Sequence, residues 1–394
     1  MIDTVELADR DRLLVGLRTI LDDRRLNDWF AERRPSTDPP SAIQVTYLRY
    51  KRGISLTVGL QTSYGPAFGY AVSREARPKL DKLINSAPPG TILAADRERM
   101  IMIALPAADR DLPGVRRAWV HRPHTLSYKP QRRWVGIDDR PDTNRVLRCY
   151  RPADARDNLA RWPNSVAIDG IRTPGVIDHD RRRGVIAIER LDGVPLTRSM
   201  GDPRRREALA AAGRGLARWH RFAPAAPTRA ALGVPTDIAE QLITLLPDQS
   251  RRIRRLADAL IGPDHEADLG WCHGDFSLDQ LLITEDQQVA ILDWDRSGYG
   301  SRAVDLANAD AAGWPELEPG AAGPARYPAS TGLSQVGWRE LLDGYAELRQ
   351  PPNDLDRYRA RARFVRAAEP FRRALPDWPI ALTANLDRAE ELIG

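Results

Sequence analysis

Apolar and polar residues change rhythm twice along this chain of 394 residues. Near the start, Leu13, Leu14, Leu17, Ile20, Leu21, Leu26 and Phe30 recur close to helical spacing, which predicts one or two short helices over residues 5–34. Pro35, Pro39 and Pro40 then mark a linker. From residue 43 to 72 the residues are β-branched and aromatic, with turns at Gly53, Gly59, Gly65 and Gly69, the pattern of an antiparallel meander. Residues 76–83 suit a helix and residues 100–105 a strand. A second strand-rich stretch spans 119–150, where Tyr128 and the residues after it loosely echo those after Tyr50, though too imperfectly to establish a duplication. Beyond residue 200 the period shifts to three and four. Leu209, Ala212, Leu216, Trp219 and Ala223 form one helical stripe, and Trp338, Leu341, Leu342, Tyr345 and Leu348 another. Between these helical blocks, residues 314–332 are rich in Pro, Gly and Ala and read as a long surface loop.

The length suggests two or three units, each with its own core. With 42% apolar and 29% charged residues the composition is that of a folded protein. No stretch approaches the roughly 20 apolar residues that span a bilayer, and the acidic N-terminus lacks a signal-peptide core, so a cytoplasmic protein without a membrane partner is expected. Cys149 and Cys272 are too few for a disulfide framework or a cysteine zinc site and read as small buried side chains. The net charge of +5 is spread with alternating sign, which argues against a nucleic-acid partner. Only Lys51, Lys79, Lys82 and Lys129 are lysines, so almost all positive charge is arginine.

Candidate chemistry gathers between Trp271 and Asp305. Two short apolar runs, ending at Ile283 and beginning at Val289, flank a polar turn. Paired as a hairpin, they bring Gln280, just before the first strand, beside Asp293, just after the second. Asp275 lies on the loop leading in. Phosphoryl transfer needs a carboxylate to orient and deprotonate the attacking hydroxyl, and oxygen ligands to hold Mg²⁺ against nucleotide phosphates. Asp275 is the candidate base, and Gln280 and Asp293 the candidate metal ligands. His273 suits a buried brace, with Gly274 permitting a tight backbone, and Asp305 suits either a brace for the loop or a cap for the following helix.

These residues resemble the catalytic loop and metal-binding segment of the aminoglycoside phosphotransferase and choline kinase superfamily, which is similar to protein kinases. In that family His-Gly-Asp, four residues, Asn, a strand ending in Asp-Trp or Asp-Phe, and Asp-Leu-Ala recur in order. This chain has His273, Gly274 and Asp275, then Gln280, then Asp293 and Trp294, then Asp305, Leu306 and Ala307. Gln280 departs from the pattern, keeping the amide oxygen but adding a methylene. Glutamine at this position, and an N-terminal cap unit, are also features of maltokinase-like members. The resemblance implies an α+β, bilobal protein-kinase-like fold with an antiparallel-sheet N-lobe and a mainly helical C-lobe, preceded by a small α+β cap domain. Residues 1–118 would be the cap, 119–192 the N-lobe and 193–394 the C-lobe, with ATP and Mg²⁺ as cofactors. Residues 368–372 and 376–378 resemble segments of actinobacterial phosphotransferase-like proteins and are assigned only packing.

On the nucleotide side the resemblance places the phosphate-gripping cation at Arg148, with Lys129 as its rival. The turn of residues 128–133, including Arg132, either covers the phosphates or is a solvated hairpin turn. Asp154 and Asp157 are the available acidic partners for the strand cation, and the backbone from Glu189 to Leu191 would face adenine. The implied activity is ATP-dependent O-phosphorylation of a small hydroxylated molecule, with an aminoglycoside or amino sugar favoured. A cationic acceptor calls for an acidic cleft, for which Asp279, Asp295, Asp310, Glu316 and Glu318 are candidates. A kinase for a neutral sugar such as a disaccharide, and a nucleotide-binding module with little catalysis, are the alternatives.

Overall fold

The computed structural model describes residues 4–394 apart from 35–41, 139, 141–142, 163–169, 197–204, 222–229, 231–232, 263–267, 287 and 313–334. The linker expected at 35–40, the loop expected at 314–332 and Ala223 lie outside the described residues. The chain forms two compact units: Met1–Arg156 with Ile177–Ile188 and Glu369–Pro379, and Asp157–Val176 with Glu189–Ala368 and Ile380–Gly394. The fold is α+β.

The first unit holds two five-stranded sheets. In the first, the predicted meander is Gln44–Lys51, Ser55–Thr62 and Gly65–Val72, paired antiparallel. Helix Arg77–Ser86 follows, then strands Ile92–Asp96 and Ile101–Ala104. The second sheet repeats the series with His124–Lys129, Arg133–Asp138 and Arg145–Tyr150, helix Pro152–Arg161, then Val176–Asp180 and Val185–Glu189. In both sheets the fifth strand lies between the third and fourth.

The likeness extends to individual hydrogen bonds. Asp11 accepts from the Tyr50 hydroxyl and from the turn N–H of Gly53, both at 2.7 Å. Asp109 accepts from the Tyr128 hydroxyl at 2.9 Å and from the turn N–H of Gln131 at 2.7 Å. Both turn residues are left-handed, at φ 66° and 61°. Five residues after each aspartate stands a glycine, Gly16 or Gly114, pressed against the fifth strand: an added Cβ would lie 2.3 Å from Ile101 or 2.4 Å from Val185. The third strand meets the fifth through Val72 N–H to Met100 O at 3.1 Å, and through Tyr150 N–H to Gly184 O at 2.8 Å. The echo between Tyr50 and Tyr128 thus belongs to two copies of one plan. Because Thr57 pairs with Tyr70 where Val135 pairs with Arg148, the first copy carries tyrosine at the Arg148 position.

Residue 118 ends helix Pro113–Ala118, inside this unit. Tyr128 packs both on the core of Phe68, Leu80 and Met102 and on that of Leu112, Trp134 and Cys149. Burial raises the Asp109 carboxyl to about 6. Its unfolded value is about 3.9, so between pH 4 and 6 the folded chain holds a proton that the unfolded chain has lost. Stability therefore falls as pH rises through that window, by about 3 kcal/mol on this group. Denaturation at pH 4 and pH 7 should show the stability of the wild type falling relative to that of Asp109→Asn by about this amount as pH rises.

In the second unit, two small sheets carry the loop segments among helices. One runs in the order Val194–Pro195, Leu281–Ile283, Val289–Ile291, Ile171–Arg172, and the other pairs Leu269–Cys272 with Gly298–Ser301. Helix Arg205–Trp219 buries Leu209, Ala212, Leu216 and Trp219 and packs on Gln335–Ala346, which buries Leu341 and Tyr345. Helix Ala303–Ala311 packs on Leu355–Arg366. Both cysteines are buried, neither forms a disulfide, and Cys272 Sγ donates to the Gly298 carbonyl at 3.2 Å. Among the described residues no helix is long and apolar enough to cross a membrane.

Candidate active site

Strand Leu269–Cys272 delivers His273 to a sharp turn. Both backbone N–H groups there point at Asp305: His273 donates to Oδ2 at 2.6 Å and Gly274 to Oδ1 at 2.7 Å. Gly274 is left-handed at φ 82°, and an added Cβ would lie 2.3 Å from the Arg296 carbonyl oxygen. Gly274→Ala should therefore cost at least about 1–3 kcal/mol from backbone strain alone, read by urea denaturation, with loss of activity. The His273 ring is engaged on both nitrogens: Nε2 donates to Leu292 O at 2.7 Å and Nδ1 accepts the Asp275 N–H at 3.3 Å. With neither nitrogen left for a proton transfer, His273 braces the loop.

The hairpin closes in the register Leu281 to Ile291, Leu282 to Ala290 and Ile283 to Val289. One step further, Leu292 N–H donates to Gln280 O at 2.9 Å, so Gln280 stands beside the residue preceding Asp293. Asp293 is buried and held left-handed at φ 64°, a conformation costing a non-glycine residue about 1–3 kcal/mol. The indole of Trp294 fixes the next position, donating to Ile291 O at 3.0 Å and packing on Trp219.

Two site residues were not singled out in the sequence. His220, from the end of helix Arg205–Trp219, reaches Asp305 Oδ2 through Nε2 at 3.0 Å, and its Nδ1 meets the Tyr345 hydroxyl at 2.9 Å. Burial lowers the His220 pKa, favouring the neutral ring. A neutral ring donating from Nε2 and accepting at Nδ1 satisfies every member of this chain. The second is Arg366, whose Nη2 donates to Asp275 Oδ1 and whose Nε reaches Asn308 Oδ1 at 3.4 Å. Asn308 in turn donates to the Gly274 carbonyl at 3.1 Å. Arg296 lies 3.7 Å from the same Asp275 oxygen.

The acids proposed for an acceptor cleft divide. Asp310 needs correction: it is buried, with Arg359 at 3.1 Å and Arg363 at 3.6 Å, and serves as a structural counter-charge between two helices. Asp279 is exposed and accepts from the Ser277 hydroxyl at 2.5 Å. Asp295 is half-buried on the turn after Asp293. Glu316 and Glu318 lie outside the described residues.

Arg148 is buried, with its Nε donating to the Tyr150 hydroxyl at 2.5 Å. Asp154 and Asp157 are both exposed on their helix, which buries only Ala155. Lys129 and Arg132 are exposed. The turn between them is tied down within its own unit, since Gln131 Oε1 accepts from Arg49 and, at 3.4 Å, from Thr57 of the first sheet. Glu189 pairs with Arg172 at 2.9 Å and donates its N–H to Gly175 O at 2.8 Å, and Leu191 is half-buried between exposed Arg190 and Asp192.

The phosphotransferase enzyme family model matches residues 120–360, and the chain belongs to that family of small-molecule kinases acting on hydroxyl groups. It is similar to a choline/ethanolamine kinase family protein from Mesorhizobium loti, at 17% identity and TM-score 0.42 over 66% of this chain and 84% of the other. Similar too is aminoglycoside phosphotransferase APH(3'')-Id from Streptomyces rimosus, at 17% identity and TM-score 0.41 over 67% and 92%. A choline kinase from Cryptosporidium parvum aligns at 12% identity and TM-score 0.47 over 72% and 94%. No curated protein matches the chain.

Proposed function

We propose that this protein transfers the γ-phosphoryl group of ATP to a hydroxyl of a small polar molecule, with Asp275 as the base. One arrangement supports the reading: Asp275 follows a loop fixed by Asp305, while the Leu292 to Gln280 bond sets Gln280 beside the strand end that carries Asp293. The acceptor oxygen bonds to the γ-phosphorus as the bond to the β–γ bridging oxygen breaks. The hydroxyl proton passes to Asp275, and ADP leaves.

Magnesium, when bound, supplies neutralisation of phosphate charge. The Gln280 amide oxygen and the Asp293 carboxylate are hard oxygen donors suited to it. Among the described residues there is no cluster of three or more His, Cys, Asp or Glu, and a magnesium ion that keeps its waters and phosphate oxygens needs only one or two protein ligands. His273 and Asp305 support the loop. For the nucleotide, the proposal assigns Arg148 to the phosphates, with Lys129 and Arg132 as rivals, and the backbone of Glu189 and Leu191 to adenine. Since the Glu189 N–H is already engaged, its contact falls to the carbonyl. Residues 1–118, 119–192 and 193–394 are cap, small lobe and helical lobe in this reading.

An aminoglycoside or amino sugar as acceptor requires carboxylates around Asp275. Asp279 and Asp295 are the described residues that remain for that role. The test is acceptor-dependent ADP formation from Mg-ATP across aminoglycosides, amino sugars, disaccharides and hydroxy acids, with the product identified by mass. Tight ATP binding without turnover of any acceptor would instead favour a nucleotide-binding module.

A further inference from the structure

The two copies of the sheet differ in what lies on one face. Side chains alternate along a strand, so in the first sheet Gly69, Ile101 and Ile103 share a face with Asp96, and Tyr70 lies on the other. Helix Asp23–Ala31 sits on the Asp96 face. It buries Leu26, Trp29 and Phe30, its indole N–H donates to Asp96 Oδ2 at 3.3 Å, and Phe30 meets Tyr64 edge-on at the turn into the third strand.

The second sheet has the same face. Asp180 matches Asp96: Asp96 Oδ1 accepts the N–H groups of Glu98 and Arg99 at 3.0 and 2.9 Å, and Asp180 Oδ1 those of Arg182 and Arg183, both at 3.1 Å. Val185 matches Ile101, since each receives the glycine that follows the aspartate, Gly114 or Gly16. The connection to the first strand is different. From Gly16 the first copy passes through helices Leu17–Leu21 and Asp23–Ala31, whereas from Gly114 the second reaches strand His124–Lys129 with the end of helix Pro113–Ala118 and one 3₁₀ turn. Among the described residues no second helix stands there. A cavity of about 850 Å³ does, floored by Leu147, Val185 and Ala187 and reaching from Asp180 to Asp138 and Arg145. Leu147 precedes Arg148 on one strand, so the cavity opens on the face opposite Arg148. Asp180 Oδ2, whose counterpart takes the indole, is held by exposed Arg183 at 2.8 Å.

We propose that this face is the docking seat for an amphipathic helix of a partner protein. The first copy indicates the occupant: a helix with apolar residues at i, i+3 and i+4, an indole among them, as in Leu26, Trp29 and Phe30. Its indole N–H takes Asp180 Oδ2 in place of Arg183. Acids on its flank meet Arg117, Arg181 and Arg182, which are exposed on the rim. The partner thereby reaches the strand that carries Arg148 from behind and leaves the Arg148 face open.

The probe is a fluorescent peptide of residues 22–34 of this chain bearing Arg24→Glu, Arg25→Glu, Arg33→Glu and Arg34→Glu, titrated with the intact protein. A control peptide adds Leu26→Ser, Trp29→Ser and Phe30→Ser. The first should bind saturably and gain helicity on binding, and the control should not bind. Leu147→Asp should abolish binding. Should that variant not fold, Arg117→Glu combined with Arg182→Glu, both at exposed positions, should weaken the first peptide about tenfold. Equal binding of the two peptides, absence of saturable binding by the first, or an affinity unmoved in the variants overturns the proposal. Binding of an apolar dye, lost in Leu147→Asp, with neither peptide bound, overturns it in favour of a small-molecule cavity.

Discussion

Asp275→Asn should lower kcat by about 10²–10⁴-fold, the range lost when a positioned general base is removed. The protein should remain folded and retain its affinity for ATP. The asparagine oxygen can still accept from Arg366 Nη2, and the backbone bonds from His273 and Gly274 to Asp305 do not involve the Asp275 side chain. Single-turnover transfer with the best acceptor, set beside circular dichroism and nucleotide titration, separates chemistry from folding. Turnover within a few-fold of wild type would remove Asp275 from the base role.

The hairpin was legible in the sequence because its information is local. Two three-residue apolar strands flank a polar turn, and the pairing of Leu281 with Ile291 follows from the length of that turn. What escaped is carried by long-range contacts between residues that look ordinary in sequence. His220 sits at the end of an apolar stripe and meets Asp305 across 85 residues and Tyr345 across 125. Its only local signal was a polar ring next to Trp219, at the end of a helix that buries Leu209, Ala212, Leu216 and Trp219. Arg366 reaches Asp275 across 91 residues. In a chain where nearly every positive charge is arginine, one arginine at a helix end carries no contrast. Asp310 misled for the opposite reason: proximity to the motif in sequence suggested the cleft, while the helix turns it toward Arg359 and Arg363.

The doubled sheet shows the same limit. Sequence revealed the two tyrosine strands, but the residues that make the copies equivalent lie elsewhere and at unequal spacing. Asp11 precedes Tyr50 by 39 residues, whereas Asp109 precedes Tyr128 by 19. A carboxylate that gathers a tyrosine hydroxyl and a turn N–H can be reached from either distance, since only its place against the turn matters. The copies differ at a position that the proposed function assigns to the nucleotide. Arg148 stands in the second and Tyr70 in the first, and through Arg49 and Thr57 the first copy holds the turn tip of the second. The leading segment thus shares the plan of the second sheet and holds its turn tip.

Asp305→Ala should be the most damaging substitution away from the reacting groups. The Asp305 carboxylate is fully buried and collects three donors: the N–H of His273, the N–H of Gly274 and Nε2 of His220. Each buried donor left without a partner costs about 1–3 kcal/mol, and because the three are neighbours their costs do not simply add. A loss of at least about 3 kcal/mol is expected, against a total stability of about 5–15 kcal/mol for a typical protein. Asp305→Asn should rescue little, since its NH₂ group faces another donor. Tyr345→Phe removes only the outermost hydrogen bond of the chain and should cost about 1 kcal/mol. Activity should fall more steeply than stability in Asp305→Ala, because the freed loop carries Asp275, and about 1 Å of misplacement can cost about 10²-fold. His220 adds a pH signature. Burial lowers its pKa, so as pH falls below about 6.5 the unfolded chain takes up a proton that the folded chain refuses, and stability drops. Relative to the wild type, His220→Gln should lose less stability as pH falls. Urea denaturation of Asp305→Ala, His220→Gln and Tyr345→Phe at pH 5 and pH 7.5, paired with transfer rates, tests the whole relay. A stable, active Asp305→Ala would show that the loop holds its shape without the aspartate.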